Sequence, residues 1–314
     1  MTRARLWTAL RLLGSAGGVA WIVLRVDLGA AQSAFGRISI AAVVAAVALI
    51  AANVMIGAVR WRALLTAYGA TRIPVFRYLT RLQFVAFFYN NYLPGAVAGD
   101  VARGVVTRDC FEEGATGALV VVLVERVLGM AGLFVLLAVG LSLAGSALDA
   151  GSLWLWTVIG VGSSAAAVAA VPFARRLAPL LPRPLAAFAG KLPQLHAGRP
   201  FVAAVGLSLL TQACITVAGW LLLASLAPIS FSDSLLVVPL ASATAFLPIT
   251  VGGTGAREAV YVALCGRLFH MPESDALAAS LALWLSTLIV AGAGGIAQLG
   301  AKRAAAAAKR ASVA

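Results

Sequence analysis

Along this chain, long apolar stretches alternate with short polar segments that carry arginine. Residues 38–59 run 22 positions without a charge, and at about 1.5 Å per residue such a helix covers the ~30 Å hydrocarbon layer of a bilayer. Similar stretches at 8–24, 117–143, 152–171, 201–226 and 276–299 bring the number of predicted transmembrane helices to about six. Two further apolar regions, 84–103 and 235–269, are interrupted in the middle by Pro and Gly. Non-helical backbone at membrane depth is tolerated only where protein or a water-filled cavity satisfies its polar groups. These two regions therefore predict re-entrant broken helical hairpins, each entering and leaving on one side. The expected fold class is an all-α integral membrane protein.

Composition agrees with that pattern: 62% of residues are hydrophobic and 11% charged, against roughly 25% charged in ordinary soluble domains. The net charge of +13 would suggest nucleic acid in a soluble protein; here no nucleic-acid partner is expected, because positive charge collects in cytoplasmic loops of membrane proteins. With the N-terminus inside, predicted cytoplasmic segments hold 18 Lys and Arg, including five over 60–81, whereas predicted outer loops hold only Arg25 and Arg37. This bias predicts a multi-pass protein of the bacterial inner (plasma) membrane with both termini cytoplasmic. Residues 172–200, rich in Pro and basic residues, read as a surface-lying amphipathic segment or a solvated loop. Trp7, Trp61, Trp154 and Trp156 fall near predicted span ends, where interfacial anchors sit. Cys110, Cys214 and Cys265 are scattered through apolar sequence and read as packing residues.

The chain echoes itself. Residues 93–103 (LPGAVAGDVAR) match 247–257 (LPITVGGTGAR) at Leu, Pro, Gly, Ala and Arg without a gap. Each half reads as two spans, a broken hairpin and one more span; three crossings per half invert the second copy. Inverted repeats with discontinuous helices are the build of many secondary transporters. The organisation expected is a single polytopic domain over 1–314, with halves 1–145 and 146–300 and a basic, Ala-rich cytoplasmic tail over 301–314.

Candidate chemistry lies where charge is expensive. A charge at the centre of a membrane helix costs about 2.5–3.5 kcal/mol on insertion scales, so such residues face an interior and have partners. Asp100, Arg103, Glu125, Arg126, Arg257 and Glu258 lie within or beside apolar sequence, and Arg103 and Arg257 each follow a Gly-containing break where a new helix starts. A helix start together with an arginine fork suits a phosphate. The opposing interpretation is mutual ion pairing among three acids and three arginines, with no ligand. Asn90 and Asn91, before the first break, either line a polar cavity or cap open backbone groups. Pro94, Gly95, Gly99, Pro248, Gly252, Gly253 and Gly255 are expected to shape the hairpins rather than to touch a ligand.

An enzyme reading finds little support. His196 and His270 are the only histidines and fall in predicted surface positions, which excludes a His-rich metal site. The chain has no Gly-x-Ser-x-Gly elbow, P-loop or Cys-x-x-Cys. Glu112 and Glu113 precede a span and read as solvated. No catalytic residue, metal or cofactor is expected.

The segments Asn91-Tyr92-Leu93-Pro94-Gly95, Gly99-Asp100, Arg103, Glu125-Arg126 and 247–258 (LPITVGGTGARE) resemble, in order and spacing over nearly the whole chain, the lysylphosphatidylglycerol synthase transmembrane family of flippase-like membrane proteins. The first motif has Ala98 where that family usually has a second Gly. The resemblance implies a polytopic domain that moves an aminoacylated phospholipid between leaflets, with relatives linked to hopanoids or polyprenyl-linked sugars, and a polar signature at Asp100, Arg103, Glu125, Arg126, Arg257 and Glu258. Bifunctional members carry a soluble aminoacyl-transferase domain after the membrane region; with the sequence ending at Ala314, lysyl transfer is not expected. The expected function is flippase-like transport of a phosphate-bearing lipid, and the expected partners are anionic or phosphate-bearing membrane lipids. The alternative is an accessory subunit for a lipid-modifying enzyme of glycolipid or hopanoid synthesis.

Overall fold

The computed structural model describes residues 3–93, 97–143, 150–180, 182–183, 186–187, 194–246 and 253–311. Among these it is helical, with no strand. The first half holds α1 (Arg3–Arg25), α2 (Leu28–Arg37), α3 (Ile40–Ala67), α4 (Phe76–Tyr92), α5 (Ala98–Val106) and α6 (Gly114–Leu143). The second holds α7 (Ala150–Leu177), α8 (Gly198–Ala224), α9 (Phe231–Ala243), α10 (Ala256–Phe269) and α11 (Glu273–Ala311). Among the described residues, four helices are long and apolar enough to cross a membrane: α3, α6, α8 and residues 273–299 of α11. Shorter apolar stretches lie in α1, α7 and α9. The chain is a membrane protein, and its surface shows it: Leu24, Ile40 and Ile296 are 88%, 81% and 73% exposed.

Inside, small residues let helices approach, because lipid tails compete with any apolar side chain and close backbone packing must supply the attraction. The longest contact is α3 along α8. Helix α3 buries Ala46, Ile50, Val54, Ala58 and Trp61 at spacings of three and four, and α8 buries Ala204, Ser208, Thr211, Ala218 and Leu222. Around this pair α4 packs on α11, α9 on α6, and α6 on α7.

Both interrupted regions are pairs of helices packed on each other, α4 with α5 and α9 with α10, although α4 begins eight residues before position 84 and α9 four before 235. Leu93, which precedes Pro94, is extended at φ −99°, ψ 142°, the conformation a following proline imposes. Pro94, Gly95, Pro248 and Gly252 lie outside the described residues.

Four expectations are corrected. Helix α3 runs to Ala67, so Arg60 and Arg62 belong to a helix and not to a loop. Trp61 is 1% exposed and is a core residue, not an interfacial anchor; a span drawn to the last uncharged position stops short of both. Pro172 lies inside α7, which continues through Arg175 and Arg176 to Leu177. The segment between α1 and α3, read as an outer loop, contains the helix α2. Asp27 caps it, its side chain accepting from the backbone N–H of Gly29 (2.8 Å) and Ala30 (3.0 Å). Helix α2 packs on α11, where Arg37 pairs with Asp275, and Arg25 at the end of α1 pairs with Glu273 (2.9 Å). Asp27→Ala is expected to cost about 1 kcal/mol, read as a small drop in the unfolding midpoint in detergent, with Asp27→Asn close to wild type.

Candidate functional site

The first hairpin sets the site. Asp100 and Arg103 are three residues apart on α5 and share one face. The arm is pressed so close to α4 that a Cβ on Gly99 would lie 1.9 Å from the Ala86 carbonyl oxygen. Asn90 clamps the two arms: its side-chain oxygen accepts from the Gly99 N–H (2.8 Å) and its Nδ2 donates to Asp100 (3.2 Å). Asn91 Nδ2 donates to the Phe87 carbonyl (2.8 Å), so it caps backbone while also facing the cavity.

Arg103 is buried at the centre. Its guanidinium donates to both oxygens of Glu125, to Gln83 and, at 3.4 Å, to Asp100, and it lies 4.4 Å over the Trp61 ring. Such density of partners is what a buried charge needs, since desolvation otherwise exceeds the Coulombic return. Glu125 also accepts from Arg60 at 2.9 and 3.1 Å, and Arg60 reaches Ser208 (3.3 Å) and Thr211 (3.2 Å) on α8. The adjacent Arg126 points elsewhere, because successive helical residues are turned by about 100°. It binds Asp100 through Nε (2.8 Å) and Nη2 (2.7 Å). Gln212 of α8 donates to the Gly129 carbonyl at 3.1 Å.

These groups line a cavity of about 310 Å³ between α3, α4, α5, α6 and α8, with Ala245 at its edge. Asn90, Asn91, Asp100, Arg103, Glu125 and Arg126 are thus brought together. Formally the lining holds Arg60, Arg103 and Arg126 against Asp100 and Glu125, a surplus of one positive charge. A cavity of this size with cationic forks on several walls can accept an oxyanion in exchange for a carboxylate.

Arg257 and Glu258 do not line this cavity. They sit at the start of α10 and pair with each other. The other Glu258 oxygen accepts from the Gly255 N–H (2.8 Å). Gly253 and Gly255 both have φ 83°, a region that side chains beyond glycine rarely enter, and Gly255 backbone lies against Gly18 of α1. Their pair builds the turn into α10.

Sequence reasoning missed Arg60, Gln83, Ser208, Thr211 and Gln212. The signal for the last three was present: polar residues at 208, 211 and 212 stack on one helical face inside an apolar span. Arg60 carried none, since a basic residue after 22 uncharged positions is the ordinary mark of a span's end. His196 and His270 are exposed, as are Glu112 and Glu113, and all three cysteines are buried, as expected. Among the described residues, no three His, Cys, Asp or Glu side chains converge as a metal site would require.

No curated protein matches the chain. The family model of the lysylphosphatidylglycerol synthase TM region matches residues 8–295, a stretch that includes both hairpins and every helix lining the cavity. The chain therefore belongs to the family of lysylphosphatidylglycerol synthase transmembrane regions.

Proposed function

We propose that this protein carries a phosphate-bearing lipid between the leaflets of the bacterial inner membrane. The observation that carries the proposal is the cavity in which Arg60, Arg103 and Arg126 face Asp100 and Glu125. A headgroup phosphate displaces Asp100 from Arg126 and Arg103, the carboxylates hold the arginines apart when the site is empty, and a phosphate brings the charge that the surplus arginine lacks. The packing of α4 on α11 mirrors that of α9 on α6, and the central α3–α8 contact joins the second span of each half. That pattern supports two inverted halves with re-entrant hairpins rocking about the site, both termini being cytoplasmic. Binding is assigned to Arg60, Arg103 and Arg126, with Asn90, Asn91, Asp100 and Glu125 as counter-groups. Arg257 and Glu258 fix the second hairpin.

A second reading has its own support: Asp100, Arg103, Glu125, Arg126, Arg257 and Glu258 are all ion-paired within the chain. This is what a non-transporting accessory subunit of a lipid-modifying enzyme would need to hold its hairpins. Native mass spectrometry with lipid identification separates the two. Arg126→Gln is chosen because Arg126 keeps 26% side-chain exposure and because Asp100 retains Arg103 (3.4 Å) and Asn90 (3.2 Å) as partners when it is lost. The expected result is a phosphate lipid retained by the wild type and lost from the folded variant. Identical lipid profiles would overturn the transport reading and favour the scaffold.

A further inference from the structure

The cavity has a neighbour. A groove of about 350 Å³ runs along α6 beside Leu123, Val127, Met130 and Phe134, with Ala243 of α9 also lining it. Leu123 and Met130 are 41% and 37% exposed, so the groove opens sideways on the face that meets lipid. Arg126 lines both the groove and the polar cavity, with its guanidinium 2.7 Å from Asp100. Glu125, one residue earlier, is almost wholly enclosed at 3% exposure, so of this adjacent charged pair only Arg126 reaches both spaces.

Resting on the transport reading above, we infer that this groove is the lateral port of the site and holds one hydrocarbon chain of the lipid whose phosphate sits at Arg126. Apolar walls alone would select nothing, because the surrounding tails are as apolar as Leu or Met. What distinguishes this groove is the arginine fixed in its wall. The comparable crevice between α4 and α11, around Phe88, Tyr89, Gly295 and Ile296, has no charged side chain among its described lining residues. From Leu123 to Phe134 the groove follows twelve residues of α6, a rise of roughly 16 Å, about half of the ~30 Å hydrocarbon layer and so the depth of one leaflet. A phosphate at Arg126 therefore leaves its chain alongside the groove, running toward the C-terminal end of α6. The electrostatic contact supplies affinity; the groove supplies register, holding one chain while the rest of the lipid stays in the bilayer.

The test uses the full-length protein in mixed micelles with phosphatidic acid that carries a diazirine on one acyl chain, photolysed and mapped by peptide mass spectrometry. Adducts are expected on residues 123–134 and at Ala243. They should be competed by unlabelled phosphatidic acid and lost from Met130→Trp, whose ring fills the groove. They should be kept in Leu285→Trp, a change at a 41%-exposed position of α11 outside the groove. Ala243→Trp fills the same space from α9 and serves if Met130→Trp fails to fold. Adducts at the α4–α11 crevice, or spread over the surface, while the lipid is still retained in an Arg126-dependent way, would overturn the port and leave the transport reading standing. Retention by Arg126→Gln equal to wild type would overturn both.

Discussion

Glu125→Ala lowers stability by about 3–5 kcal/mol, the range for removing one member of a buried ion pair. The carboxylate is 3% exposed and takes hydrogen bonds from Arg103 and Arg60 together. Its removal leaves two guanidinium groups in a low-dielectric interior. Arg103 keeps Asp100 at 3.4 Å and Gln83, while Arg60 keeps only the hydroxyls of Ser208 and Thr211 as hydrogen-bond partners among the described residues. The measurement is the urea or thermal unfolding midpoint in detergent, with yield as a first indication. Glu125→Gln, which keeps an acceptor oxygen in place, falls between wild type and Glu125→Ala. The double change Glu125→Met with Arg103→Met recovers part of the loss, because apolar pairs of similar volume often match a buried ion pair in stability. A Glu125→Ala protein as stable as wild type would mean that the arginines are hydrated in the folded state and that the cavity is an open aqueous vestibule.

Gly99→Val is the second large effect, and it acts on backbone rather than on charge. At this position the first atom of any side chain meets the Ala86 carbonyl oxygen at 1.9 Å, a distance that only movement of α5 away from α4 can relieve. Overpacking of this kind costs about 1–3 kcal/mol and occasionally more, and here the displacement also breaks the clamp between the Gly99 N–H and Asn90. Asp100 and Arg103 travel with α5, so phosphate-lipid retention falls together with the unfolding midpoint. Gly99→Ala gives the same result in milder form. Asn90→Ala removes the clamp without the clash and reports the hydrogen bonds alone. Near-wild-type midpoints and lipid retention in Gly99→Val would show that the two arms are not in close contact, and the site's geometry would have to be redrawn.

Much of the architecture was legible because hydropathy is a local property. An apolar run of 22 residues forms a helix in lipid whatever surrounds it, since every backbone N–H and C=O must be satisfied within the segment. For the same reason Pro94 and the glycines beside it announced a break, and Leu93 is extended as a pre-proline residue must be. The cost of charge in an apolar environment likewise marked Asp100, Arg103, Glu125 and Arg126, four of the five charged residues that line the cavity. Asn90 was open between cavity and cap, and it serves as both.

Which charges meet was decided by tertiary structure alone. Ion-pair partners depend on how each helix is rotated and on how closely two helices approach, and neither quantity is local. Arg60 looked like the end of a span; it became a cavity residue because α3 continues to Ala67 and lies along α8, whose Ser208 and Thr211 receive it. Trp61 looked like an anchor at the water interface; it became the floor beneath Arg103 for the same reason. Arg257 and Arg103 occupy matching places in the two copies of one motif, yet Arg257 closes on its own neighbour Glu258 while Arg103 reaches across to α6. The motif determines where a helix begins, and the helices that pack around it determine what its arginine finds.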